Sequence, residues 1–292
     1  MRTRASKALF SLLLASSLTA CSSTPEPRPA PRESFREGKG RTIVMLGGGV
    51  YGAAMFAPHA RSLSREFDVI RIQTLNVQSA STGAPLPADY SISQEAEAVH
   101  QTLRSLGVGG PVDLIGSSLG AVVALRLATL HPERARTLIL FEPPAFWTLS
   151  PEDLAADATA HGIVDLTSRM GPEALPTDDD FKQFRCLLGS CPPDIPAAGD
   201  PARPEWDRSR MSMRGLAAVS RHREDPGALR ELRTPILLLA GSDTVPFHRR
   251  INERLALALP KPETAVLPGN HTALRTSSTE FLNLVRDFLS RH

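Results

Sequence analysis

From residue 41 onward, short unbroken apolar runs alternate with stretches whose apolar residues recur every three or four positions. "RTIVML" (41–46), "FDVIRIQTL" (67–75), "VDLIGS" (112–117), "RTLILF" (136–141), "TPILLLA" (234–240) and "ETAVLP" (263–268) read as strands. Residues 93–106 open on a serine with early acids and carry helical spacing. Helices are also expected over 119–131, stopped by Pro132, and over 248–259 and 278–292. Apolar strands separated by helices predict an α/β fold, a mostly parallel central sheet covered on both faces. The alternation breaks between about 144 and 226, where prolines, the acid run "TDDD" and scattered aromatics accumulate. That stretch reads as an insertion capping the carboxyl edge of the sheet, where ligands enter such folds.

The N-terminus follows other rules. Residues 1–20 hold Arg2, Arg4 and Lys7 and no acid, and then an apolar, small-residue run to Ala20. This is the pattern of a signal peptide, too short to span a bilayer as a helix. Its "LTAC" ending resembles the lipobox of bacterial lipoproteins, which implies cleavage before Cys21, acylation of that cysteine and a membrane anchor facing the cell envelope. Residues 21–40, rich in Pro, Ser and charge, read as an extended tether, and 41–292 as the folded domain.

The formal net charge of +2 over 292 residues comes from the leader; without its three cations 30 basic residues face 31 acidic ones. No basic stripe suggests a nucleic acid. A monomer is expected. Cys186 and Cys191, in "RCLLGSC", suggest a disulfide in an exported chain, with metal binding as the less supported alternative.

In "DLIGSSLGAVVAL" two serines stand together, but only Ser118 is centred in Gly116-x-Ser118-x-Gly120. A nucleophilic serine on a strand-to-helix turn needs small neighbours, and the helix that follows turns its N–H groups toward developing negative charge. A weak hydroxyl nucleophile also needs a base, and the base an orienting carboxylate. His271, in "LPGNHTALRTS", follows the last strand; His248, at a helix start, is its rival among eight histidines. Asp243 directly follows "ILLLAGS" at the end of another strand. The order Ser118, Asp243, His271 is that of an α/β-hydrolase triad.

With these segments in hand, the chain resembles the α/β-hydrolase superfamily. "DLIGSSLGAVVALRLATLHPERARTLILFEPP" is similar to its nucleophile strand, helix and next strand. "TPILLLAGSDTVP" is similar to its acid strand, and "LPGNHTALRTSSTEFLNLVRDFL" to its histidine segment and last helix. The resemblance implies a serine hydrolase, with catalytic Ser118, Asp243 and His271, acting on a small-molecule carboxylic ester without metal or organic cofactor. In the family the acid sometimes lies one strand earlier, which makes Glu142 in "LFEPP" the reserve acid. "MLGGGVYG" would then supply an oxyanion N–H from Gly48 or Gly49 beside that of Leu119, although Leu46 stands where the family usually has histidine.

Other readings stay open. Amide, lactone or C–C hydrolysis would use the same triad. Gly47-x-Gly49-x-x-Gly52 also fits a dinucleotide fingerprint and hence an NAD(P)-dependent oxidoreductase. Against that reading, the expected ribose-binding acid is missing from the far end of the second strand, where Gln73 and Asn76 stand. A non-catalytic envelope lipoprotein could keep the same fold. Phe146, Trp147, Met170, Phe181, Phe184 and Trp206 either line an acyl pocket or pack the cap's own core.

Overall fold

Seven strands form one sheet in the order β1-β3-β2-β4-β5-β6-β7. This structure, a computed structural model, describes residues 31–292. The expected signal peptide and Cys21 lie outside the described residues. The strands are β1 (Ser34–Gly38), β2 (Thr42–Leu46), β3 (Asp68–Ile72), β4 (Val112–Ser117), β5 (Ala135–Phe141), β6 (Ile236–Gly241) and β7 (Glu263–Leu267). All neighbours pair in parallel except β1, which runs antiparallel along β3.

Alternation inside the strands explains the two layers. Val44, Leu46, Ile70, Leu114, Leu138, Leu140 and Leu238 face one core, and Ile43, Met45, Val69, Ile115, Ile139, Leu237 and Leu239 the other. Period-two side chains buried on both faces are what turn these strands into continuous apolar runs. Helices α1 (Ala57–Leu63), α2 (Leu75–Thr82), α3 (Ile92–Ser105) and α4 (Leu119–Leu130) precede β5. Helices α5 (Pro151–Ala156), α6 (Ala158–Ser168), α7 (Asp178–Leu187), α8 (Arg203–Met211), α9 (Ala217–Arg221) and α10 (Pro226–Glu231) separate β5 from β6. Last come α11 (Pro246–Ala258), α12 (Ala273–Thr276) and α13 (Ser278–Arg291). Residues of α3, α4 and α11 pack in the first core, and those of α1 and α13 in the second.

The sequence reading needs one correction at the edge. Residues 34–38 are not part of a free tether; they extend the sheet. Arg36 grips the buried Asp68 through Nε and Nη2, both at 2.8 Å, while Thr42 Oγ1 donates to the same carboxylate at 2.9 Å. The Arg32 backbone N–H donates to Thr102 Oγ1 at 2.8 Å, so attachment begins before the strand.

Between β5 and β6 the insertion is helical. The acid run is a helix start: Thr177 accepts from the Asp180 N–H, and the Asp180 carboxylate accepts from the Thr177 N–H. Asp178 then binds Arg203 and the Trp206 indole N–H, joining α7 to α8. Phe181 packs edge-on against Trp206 with ring centres 4.7 Å apart. These two aromatics and Met170 are buried in the core that the insertion shares with one face of the sheet, and Phe146 and Phe184 belong to that core while also lining a cavity at Ser118. A disulfide joins Cys186 to Cys191 at the end of α7.

Candidate active site

Ser118 sits between β4 and α4 with φ 51° and ψ −123°, a backbone region that costs an ordinary residue energy. The turn is enforced by its glycines. A Cβ on Gly120 would stand 2.1 Å from the Leu46 carbonyl oxygen, and one on Gly116 would stand 2.5 Å from the Ala121 Cα. The Ser118 N–H donates to the Phe141 carbonyl at 2.9 Å. Its own carbonyl accepts from Ala121 and Val122, tying the serine to the first turn of α4. Ser117, in contrast, is the last residue of β4 and is buried.

After β7 the chain turns through Pro268, Gly269 and Asn270 to His271. That turn is held from several sides. The Asp243 N–H donates to the Gly269 carbonyl at 2.9 Å, and the Gly269 N–H to Ser242 Oγ at 3.0 Å. The Asn270 side-chain amide donates to the Gly189 carbonyl at 2.6 Å, linking the histidine loop to the cap.

The carboxylate that meets the imidazole is Glu142. Its Oε2 lies 2.5 Å from His271 Nδ1, and its Oε1 accepts from the Gly241 N–H at 2.8 Å. Asp243, the acid expected from the sequence order, is exposed, and its carboxylate has no hydrogen-bonding or ion-pairing partner among the described residues. The reason is local geometry. Glu142 follows the last residue of β5 at φ 41°, and its N–H donates to the Leu239 carbonyl, so its side chain lies inside the sheet edge. The turn after β6 is pinned through the Ser242 and Asp243 backbone to the histidine loop, which leaves the Asp243 side chain outward.

Burial alone would push the Glu142 carboxyl upward. The His271 hydrogen bond, the neighbouring imidazoles and the Gly241 N–H outweigh it and hold the group at about 2. With Nδ1 against this anion, the His271 Nε2 has no hydrogen-bond partner among the described residues. His248 stacks on His271 with ring centres 4.5 Å apart and planes inclined by 10°. It is buried with neither ring nitrogen partnered among the described residues. Burial, and secondly repulsion from His271, lower its basicity to about 3, so it stays neutral. Glu142, His248 and His271 bring ligand atoms within 4.8 Å of one another. Parallel stacked rings direct their lone pairs into parallel planes, however, and one ion cannot lie in both. This cluster suits a proton rather than a metal.

Ser118 and His271 face one cavity, together with Gly48, Gly49, Arg185 and Arg275. No direct hydrogen bond joins them among the described residues; such contacts commonly tighten only around a substrate. A second cavity also reaches Ser118 and is lined by Leu119, Phe146, Leu216, Phe247 and His248.

The glycine loop approaches the serine as expected: a Cβ on Gly48 would lie 3.6 Å from the Ser118 Cβ. The Gly48 N–H donates to the Met55 sulfur, a weak acceptor, at 3.0 Å. The N–H groups of Gly49 and Leu119 have no acceptor among the described residues. The sequence reading missed the residue that shapes this loop. Asn76 is fully buried, and its amide donates to the carbonyls of Gly49 and Ser212 at 2.6 and 2.7 Å, stapling the loop to the cap. Its place just past a strand end was the only available signal. The dinucleotide alternative loses its geometry here. Gly52 opens a 3₁₀ turn, α1 starts only at Ala57, and Gln73 spends its amide oxygen on the Ala53 N–H.

Comparison with known proteins agrees with this architecture. The family model described as alpha/beta hydrolase family matches residues 43–283. The putative carbamate hydrolase RutD of Pseudomonas savastanoi pv. phaseolicola is 27% identical over 261 residues, covering 85% of this chain and 93% of that protein. Polyketide synthase ThaQ of Burkholderia thailandensis is 27% identical over 277 residues. That match takes in 90% of this chain but only 12% of the synthase. A mutant of the meta-cleavage product hydrolase from Pseudomonas fluorescens IP01, complexed with acetates, superposes with a TM-score of 0.65 at 14% identity, over 89% of this chain and 94% of that one. With the sheet order, the serine turn and this match over most of its length, the chain belongs to the alpha/beta hydrolase family.

Proposed function

We propose that the protein is a serine hydrolase that cleaves an acyl bond, most naturally a carboxylic ester. Ser118 attacks the carbonyl, His271 Nε2 accepts the hydroxyl proton and returns it to the leaving group, and Glu142 orients and stabilises the imidazolium. The Leu119 N–H and one from Gly48 or Gly49 receive the oxyanion; a donor of this kind is worth about 10²–10³ in rate. The observation that carries the reading is the buried Glu142 bound to His271, beside a serine held in a strained turn on the same cavity. The names of RutD and of the meta-cleavage product hydrolase speak of carbamate and of meta-cleavage products, so related bonds on the same three residues form the second reading.

Labelling with a fluorophosphonate tests the central claim. Ser118→Ala should abolish labelling and Ser117→Ala should retain it; equal labelling of both variants overturns the assignment. We further propose export and acylation at Cys21. Among the described residues no helix is long and apolar enough to cross a membrane. Cys21→Ser should release the protein from membranes, and unchanged retention would refute the anchor.

A further inference from the structure

Two cavities meet at Ser118, both lined mainly by apolar side chains, and the position of His271 tells them apart. The general acid must stand on the side from which the leaving group departs. His271 lines the cavity that also holds Arg185 and Arg275 and does not line the other. That other cavity, of Phe146, Ile163, Leu216, Val219 and Phe247, holds no arginine and is therefore the acyl side.

Two guanidiniums, those of Arg185 and Arg275, stand on the leaving-group side. Several arginines in the cap and around the sheet are matched to acids: Arg203 and Arg210 to Asp178 and Asp207, Arg250 and Arg254 to Asp153, Arg126 to Glu224. Arg185 and Arg275 have neither an ion pair nor a side-chain hydrogen bond among the described residues, yet they flank the same opening from α7 and α12. Glu142, the nearby acid, is committed to His271. Both arginines also line the adjoining outer recess, where Asp194 and Glu205 stand without an ion pair to either. Guanidiniums beside a partly enclosed cavity present forked donors that match a carboxylate or phosphate.

We propose that the substrate joins an apolar acyl group to a leaving group bearing an anion, carboxylate or phosphate, which Arg185 and Arg275 hold while His271 protonates the departing atom. This rests on the serine-hydrolase reading above and adds to it the polarity of the substrate. The anion stays on the product that leaves first, and the acyl-enzyme retains only the apolar half.

Three esters test it: 4-butyryloxybenzoate, with its charge on the leaving group; the methyl ester of that benzoate, neutral; and mono-4-nitrophenyl glutarate, charged on the acyl group. The wild-type preference, as kcat/KM, for the charged over the neutral benzoate should fall about tenfold in Arg185→Gln/Arg275→Gln and shrink at high salt. The glutarate should gain nothing from the arginines. An unchanged benzoate ratio in the double variant, or a glutarate turnover that falls in that variant as the benzoate's does, overturns the proposal. Calorimetric binding of 4-butyryloxybenzoate to Ser118→Ala protein, with and without the arginine pair, gives a second readout that needs no turnover. Fluorophosphonate labelling without arginine dependence would retain the hydrolase and refute the subsite. Arginine-dependent binding without labelling would do the reverse.

Discussion

Glu142 and His271 lie 129 residues apart in the chain and 2.5 Å apart in space, one at the end of β5 and the other past the end of β7. Their contact places the carboxylate on the strand next to the one that presents Ser118. Glu142→Gln should therefore lower kcat by about 10³–10⁴, the cost of losing the tautomer-fixing acid. Asp243→Asn should stay within a few-fold of wild type. Steady-state kinetics on one ester settle the matter, and the opposite pattern would return the role to Asp243.

Glu142 and His248 give the fold a pH dependence. Glu142 is held at about 2 against an ordinary 4.5, so its contribution is full above pH 4.5 and is lost as the pH falls toward 2. His248 is held at about 3 against an ordinary 6.5. Below pH 6.5 the unfolded chain takes up a proton that the folded chain refuses, costing up to about 1.4 kcal/mol per pH unit. Burial of His59 acts in the same direction. Thermal unfolding should show Tm falling from pH 6.5 downward. His248→Phe should flatten the upper part of that limb and leave the fall below pH 4.5; an unaltered profile would refute the assignment.

Strand β1 makes a testable contribution to stability. A chain starting at residue 31 keeps the Arg36 fork on Asp68 and the antiparallel pairing with β3. A chain starting at residue 41 leaves the buried Asp68 with Thr42 as its remaining side-chain partner and exposes the β3 edge. Its Tm should be lower by about 5 °C or more. Equal melting curves would show that these contacts are energetically idle.

Reduction of Cys186–Cys191 should be felt at the site more than in the melting curve. So short a loop contributes about 2 kcal/mol in chain entropy. The bridged segment, however, contains Leu188 and Gly189: the first lines both cavities, and the second accepts from Asn270 beside His271. Cys186→Ala/Cys191→Ala should raise KM several-fold, with a Tm loss of no more than about 4–8 °C. A large Tm loss at constant KM would contradict this division.

How much was legible in the sequence follows from what each signal encodes. β4, β5 and β6 are buried on both faces, and a strand of that kind announces itself as an apolar run. β1 does not, because "SFREG" is mostly exposed and is placed by the Arg36–Asp68 fork and by main-chain pairing. The Ser118 turn was readable because such an elbow demands glycines at fixed spacing, and the place of His271 because it follows the last strand. The carboxylate that meets His271 was not, since Asp243 and Glu142 both satisfy the chain order and both follow apolar strands. Only the direction of the turn separates them, and it depends on which backbone groups receive Glu142 and the residue 242–243 segment. Asn76 gave no usable sign, because its function lies in two carbonyls distant in sequence.

That turn also fixes what position 243 can reveal. Its main-chain N–H holds the histidine loop, while its side chain makes no hydrogen bond or ion pair among the described residues. A carboxylate after the sixth strand is therefore no guide here to which acid meets the imidazole; that contact belongs to the residue immediately after the fifth.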